Sequence, residues 1–232
     1  MTKYTSAYHS FVARGHEVIY LYSQARELEK SDAVAHAAAI NSLCRGAVVL
    51  LSARLEAYVK ELGDLTLLQV HVNQVPRTRL AEQFFYYLSQ DILREMRETD
   101  DPLASAKKLF TLFARDRDIW SQVGPFPLPL PIDIFNKGFS NPALKKISSY
   151  FNRFGYKHYT GDMKKRLKGR YSPASNMVDQ LVAMRNKIAH GDSSATMTPL
   201  EVKDMARLVQ NYCQATDLAF STWCKASLCP IK

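Results

Sequence analysis

Glycine is scarce in this sequence, nine of 232 residues, and four of its ten prolines fall within 125–131. So little of either outside a few loops argues against a disordered or low-complexity chain. The four cysteines, Cys44, Cys213, Cys224 and Cys229, form no Cys-x-x-Cys pair. A zinc ribbon or disulfide framework is therefore not indicated, and their apolar helical surroundings predict buried free thiols in a reducing compartment. No run of 18 uncharged apolar residues exists, which argues against a membrane span. The start, Met1 to His9, lacks the apolar core of a signal peptide, so a cytoplasmic protein is expected.

Other absences narrow the chemistry. There is no phosphate-cradling glycine loop and no Gly-x-Ser-x-Gly elbow. His9, His16, His36, His71 and His158 have no Asp or Glu at metal-ligand spacing, so no metal site and no cofactor are expected. Acidic residues are in deficit: 22 Asp plus Glu against 31 Lys plus Arg leave a formal charge of +9. That balance favours a polyanionic partner, and nucleic acid is the economical choice.

What the sequence does contain is helical periodicity. The spacing predicts a helix over 4–29 and one long helix, or two in tandem, from Ser31-Asp32 to about residue 71, with Gly63 a possible break. Further helices are predicted over 77–98, where Phe84, Phe85, Tyr86 and Tyr87 read as core, from Asp101-Pro102 to Trp120, and over 141–154. The tract 124–131 cannot be helical, because alternate prolines remove donors and hold the backbone extended. It is expected to form a stiff strap that packs Phe126, Leu128 and Leu130 on the core, the alternative being a polyproline ligand for a partner domain. A motif helix is predicted over about 174–190, and Thr198-Pro-Leu-Glu201 is a capping box that opens a last helix over about 199–225. The whole, 1–232, reads as a single all-α domain.

The most informative segment is Arg185-Asn186-Lys187-Ile188-Ala189-His190, followed by Gly191 and Asp192. Arginine grips a phosphate through paired hydrogen bonds, and a neutral imidazole can take the proton of a ribose 2′-hydroxyl. RNA offers both groups. Met177, Leu181, Met184 and Ile188 lie at helical spacing, so Arg185 falls late in an amphipathic helix, with His190 at its end and Gly191 as the stop signal. Spacing alone is not diagnostic, since Arg153 and His158 have the same separation, but Gly155 interrupts that copy and no polar residue follows Arg153.

Arg185, Asn186 and His190 match position by position the motif of the HEPN superfamily: Arg, a polar residue, spacers, then His. The wording resembles the RiboL-PSP-HEPN branch in particular. Leu50 to Lys60 is similar to the long early helix of that family, where an acidic residue commonly faces the active cleft, and Glu56 would be that residue; spacing alone would instead pair it with Lys60. Residues 141–155 resemble the segment placed before the motif helix. The resemblance implies an all-α bundle of long antiparallel helices with a Pro-rich connector. It also implies a metal-independent endoribonuclease, a toxin or phage-defence effector working as a homodimer, with a cognate antitoxin or defence-system protein as a further partner. The alternative is a catalytically silent module that binds RNA, a nucleotide or a partner. In the enzyme reading His190 is the base, Arg185 stabilises the phosphorane, Asn186 orients, and Glu56 holds Arg185 or His190. A basic cluster, Lys157, His158, Lys164, Lys165, Arg166, Lys168 and Arg170, interleaved with Tyr156, Tyr159 and Tyr171, is expected either to draw RNA toward the motif, the tyrosines stacking bases, or to be a solvated loop.

Overall fold

The computed structural model describes residues 3–121 and 123–232, and among them the chain is all α, with no strand. The helices are α1 (Ser6–Arg14), α2 (His16–Asp32), α3 (Ala37–Val72), α4 (Glu82–Leu88), α5 (Gln90–Arg97), α6 (Pro102–Trp120), α7 (Ile132–Asn136), α8 (Leu144–Asn152), α9 (Tyr159–Leu167), α10 (Tyr171–Ala189) and α11 (Pro199–Ser227). Single 3-10 turns at Arg77–Arg79 and Lys168–Arg170 precede α4 and α10.

The axis of the fold is α3, whose 36 residues rise about 54 Å at 1.5 Å each. It packs against α1, α2, α10 and α11, and α9 lies on α11 and α10. The helices α4 to α7 form a satellite that meets α3 chiefly through α7. By length and composition α3 is the one helix among the described residues apolar enough to cross a membrane. Here its apolar positions, Val48, Leu51, Leu55, Tyr58, Leu62 and Val70 among them, are the centre of the core.

Local signals set most helix ends. The Thr5 hydroxyl caps α1 by accepting from Tyr8 N–H, Asp101 accepts from Leu103 and Ala104 N–H ahead of Pro102, and Thr198 and Glu201 form the full capping box. Buried aromatics fill the remainder: Phe84, Phe135, Phe154 and Tyr150 pack edge to face or tilted, as expected for Phe84 and its neighbour Phe85. All four cysteines are buried and unpaired, and burial raises each thiol, Cys44 to about 11.

Several expectations are corrected. The 4–29 segment is two helices joined at Gly15, and the 77–98 segment is two helices joined at Ser89. Ser31 and Asp32 end α2 rather than start α3: the Asp32 carboxylate accepts from Val34 and Ala35 N–H, holding the turn between the two helices. Gly63 is not a break. It lies inside α3, where a Cβ would sit 1.9 Å from the Tyr150 hydroxyl oxygen, so its bareness is a packing requirement. On the strap, Phe126 and Leu130 are buried, but Leu128 is 68% exposed because the backbone bends at 127–128.

Candidate functional site

Helix α10 buries Ala174, Ser175, Val178, Leu181 and Val182, while Met177, Met184 and Ile188 pack partly against the core. Its end is a Schellman turn. Gly191 takes φ +78°, its N–H donates to the Ile188 carbonyl at 3.1 Å, and Asp192 N–H donates to the Lys187 carbonyl at 3.0 Å. Only glycine adopts that conformation without strain, so the stop signal fixes His190 as the C-cap, exposed at the helix end. The loop beyond is stitched from two sides. Asp192 accepts from Ser194 N–H and hydroxyl, and Arg45 of α3 donates to the carbonyls of Asp192 at 2.9 Å and Ala195 at 3.3 Å.

Arg185 is half-buried and lines a cleft of ≈ 360 Å³ between α3 and α10, together with Ser52, Glu56 and Lys60. Its Nη1 donates to Asn186 Oδ1 at 3.1 Å, so the first two members of the motif touch. Glu56 shares the cleft but is not bonded to Arg185. Its Oε1 accepts from Lys60 at 2.8 Å and its Oε2 from Asn141 N–H at 3.1 Å, which is the i,i+4 pairing that spacing alone favours plus a tie to the segment ahead of α8. Glu56 therefore positions Lys60 and that segment within the chain.

His190 does not line the cleft. Five residues advance about 140° around a helix beyond one full turn, so Arg185 and His190 face different directions in one protomer. Ser52 is a cleft residue that motif matching overlooks. It is only 3% exposed, and the available signal was the polar series Ser52, Glu56, Lys60 at four-residue spacing in an otherwise apolar helix.

The middle of the basic cluster is a helix rather than a loop. Lys164, Lys165 and Arg166 project from α9, Lys168 and Arg170 from the turn after it, and Lys157 and His158 from the approach to it, all exposed. Lys168 holds φ +50° beside Gly169, an unfavourable conformation for a residue with a Cβ. The tyrosines are not a free stacking surface: Tyr156 and Tyr159 are each 2% exposed, because they face α11 rather than solvent, and Tyr171 is half-buried. Asp162 is held below the usual carboxylate range by the hydrogen bond from the Tyr156 hydroxyl and by Lys165. Fourteen residues of α10 separate its first residue from Arg185, about 21 Å of helix, so the cluster and the cleft lie toward opposite ends of α10. Among the described residues no three His, Cys, Asp or Glu side chains converge where a metal ion could sit.

An all-α bundle whose motif helix sets Arg185 on a cleft, bonds it to Asn186 and ends in His190 defines a HEPN-type domain. The RiboL-PSP-HEPN family model matches residues 14–222, and the chain belongs to that family. Membership points to a nuclease or RNA-related role, and HEPN domains commonly dimerise and bind RNA. No curated protein and no solved structure matches the chain.

Proposed function

We propose that this protein is a metal-independent endoribonuclease, acting in the cytoplasm as a toxin or phage-defence effector under a cognate antitoxin or defence-system partner. The observation that carries the reading is the end of α10, where Arg185 opens on a cleft beside Asn186 and the Schellman turn leaves His190 exposed. In this mechanism His190 takes the proton of a ribose 2′-hydroxyl, the 2′-oxygen attacks phosphorus, and the 5′-oxygen leaves and is protonated from solvent. Arg185 neutralises charge on the phosphorane and Asn186 fixes the guanidinium. The products are a 2′,3′-cyclic phosphate and a 5′-hydroxyl.

Because one protomer turns the two side chains apart, the site is composite: a two-fold homodimer sets the motif of one protomer against that of the other. Glu56 and Lys60 then form a wall of the cleft, with Ser52 at its floor, and RNA is held by Lys157, Lys164, Lys165, Arg166, Lys168 and Arg170. The same divergence of Arg185 and His190 favours a second reading, a silent RNA- or partner-binding module. Incubating the pure protein with labelled RNA in chelator and analysing the product ends separates the two. Cyclic phosphate ends, resistance of a substrate with 2′-deoxy at the scissile position, and a dimer by light scattering are expected. Product ending in 3′-hydroxyl, or cleavage by a protein that remains monomeric, overturns the mechanism.

A further inference from the structure

A second cavity, of ≈ 310 Å³, opens between α9 and α11 beside the basic cluster, remote from the motif. Its distinctive wall is Trp223, half-buried and locked in an aromatic stack. The indole lies parallel to Tyr156, with centroids 5.0 Å apart and planes at 15°, and nearly parallel to Phe220 at 5.8 Å. Two cations line the same cavity. Lys165 is paired to Asp162 at 3.3 Å, and Arg166 is steadied by the Thr222 hydroxyl at 2.9 Å. Asp162 also receives the Tyr156 hydroxyl at 2.9 Å, so one carboxylate fixes both the ring behind the tryptophan and a cation in front of it. Ala219 contributes only a methyl group, which leaves room for a flat ligand beside the indole.

We infer that this cavity is a nucleotide site for single-stranded RNA, in which a base packs on the open part of Trp223 while the flanking phosphate meets Lys165 and Arg166. A pre-stacked indole stays in place when a base arrives, so little side-chain freedom is lost, and stacking accepts any base. Arginine and lysine beside it supply the sequence-independent contact to the backbone. The site replaces the buried Tyr156 and Tyr159 as the stacking surface of the cluster. It rests on RNA being the ligand of this protein, and it holds RNA at a distance from Arg185, so it serves affinity rather than the chemical step.

The sequence has two tryptophans, so Trp120→Phe leaves Trp223 as the sole indole with the site intact. A short 2′-O-methyl oligoadenylate, which lacks the attacking hydroxyl, is the probe. Titration into Trp120→Phe is expected to quench the emission to saturation. Trp223→Ala should raise the Kd of the oligonucleotide about tenfold, and Trp223→Phe, which keeps a ring and the core packing, should stay within about threefold. No quenching, or unchanged affinity in Trp223→Ala, overturns the site. Saturation by free adenosine monophosphate at the same Kd as the oligonucleotide overturns the strand assignment in favour of a mononucleotide pocket. Cleavage of ordinary RNA is scored separately. Trp223-dependent binding without cleavage would sink the nuclease and leave this site standing, whereas cleavage without Trp223-dependent binding does the reverse.

Discussion

Two arginines in this chain stand five residues ahead of a histidine, and the fold uses them in opposite ways. Arg153 is 8% exposed, its guanidinium donating to the Phe135 and Lys137 carbonyls and lying over the rings of Tyr87 at 4.3 Å and Tyr150 at 5.1 Å. Burial pushes that guanidinium below its ordinary pKa. It ties α8 to the backbone around α7, and His158 only occupies the position ahead of α9, its side chain making no cap bond. Arg185 by comparison makes, among the described residues, one side-chain hydrogen bond, to the amide of its neighbour Asn186, and otherwise faces a cleft. The difference teaches that spacing carries no function by itself: what distinguishes the copies is whether the cation's donors are consumed by the protein's own carbonyls.

The largest effects should fall on opposite observables. Arg185→Ala and His190→Ala are each expected to lower the cleavage rate by about 10²–10³-fold, the usual scale for a lost charge stabiliser or general base. Thermal midpoints should hardly move, since both side chains reach solvent or the cleft. Arg153→Met should do the converse, costing roughly 2–4 kcal/mol because two carbonyls lose a charged donor, with the midpoint falling by roughly 5–15 °C and the rate per folded molecule unchanged. His158→Ala should change neither. Cleavage rates and melting curves on these four variants test the contrast directly, and a normal cleavage rate in Arg185→Ala would erase it.

Much of the fold was legible because its determinants are local. The capping box at Thr198, Asp101 ahead of Pro102, and Gly191 after His190 each act within a few residues, and each appears as expected. The helical periodicity of α3 was legible too, though it left one long helix or two in tandem open. Some of what failed was local, as where Asp32 holds a turn instead of opening α3, but the rest depended on distant partners. Gly63 reads as a break until Tyr150 is brought against it, and Tyr156 reads as surface until Trp223 and Phe220 cover it. In the site, residue types and the helix end were readable, whereas the occupation of Glu56 by Asn141 N–H joins positions 85 residues apart, which no periodicity reveals.

A further change sharpens the contrast from the structural side. Gly63→Ala sets a methyl against the Tyr150 hydroxyl and the ring behind it, and Tyr150 is the residue that donates to Asn136 at 2.5 Å and carries Arg153 on its face. Neither backbone nor a fully buried ring gives way easily, so roughly 1–3 kcal/mol of destabilisation is expected by chemical denaturation. Cleavage by the folded fraction should be unaltered. A loss of activity larger than the loss of folded protein would mean that the Arg153 side of the molecule communicates with the cleft.

The smallest effect concerns Arg45, which belongs to neither copy but supports the second. Its guanidinium bridges the carbonyls of Asp192 and Ala195, and Ala195 is 2% exposed, so the loop that follows His190 is held against α3 by one cation. Removing it leaves the Schellman turn intact, since those bonds are backbone to backbone, but frees the loop to move relative to α3. The imidazole at the helix end then samples more positions, and a base must lie within hydrogen-bond reach of its proton to act. Arg45→Met should therefore lower kcat about three- to tenfold with KM nearly constant, because the proposed RNA-binding residues on α9 are untouched. Arg45→Lys should recover part of the loss, an ammonium being able to satisfy one carbonyl but not to span both. A change in KM alone, or a lower melting temperature with kcat intact, would show that Arg45 holds the loop for stability only and that His190 is set by the helix end without it.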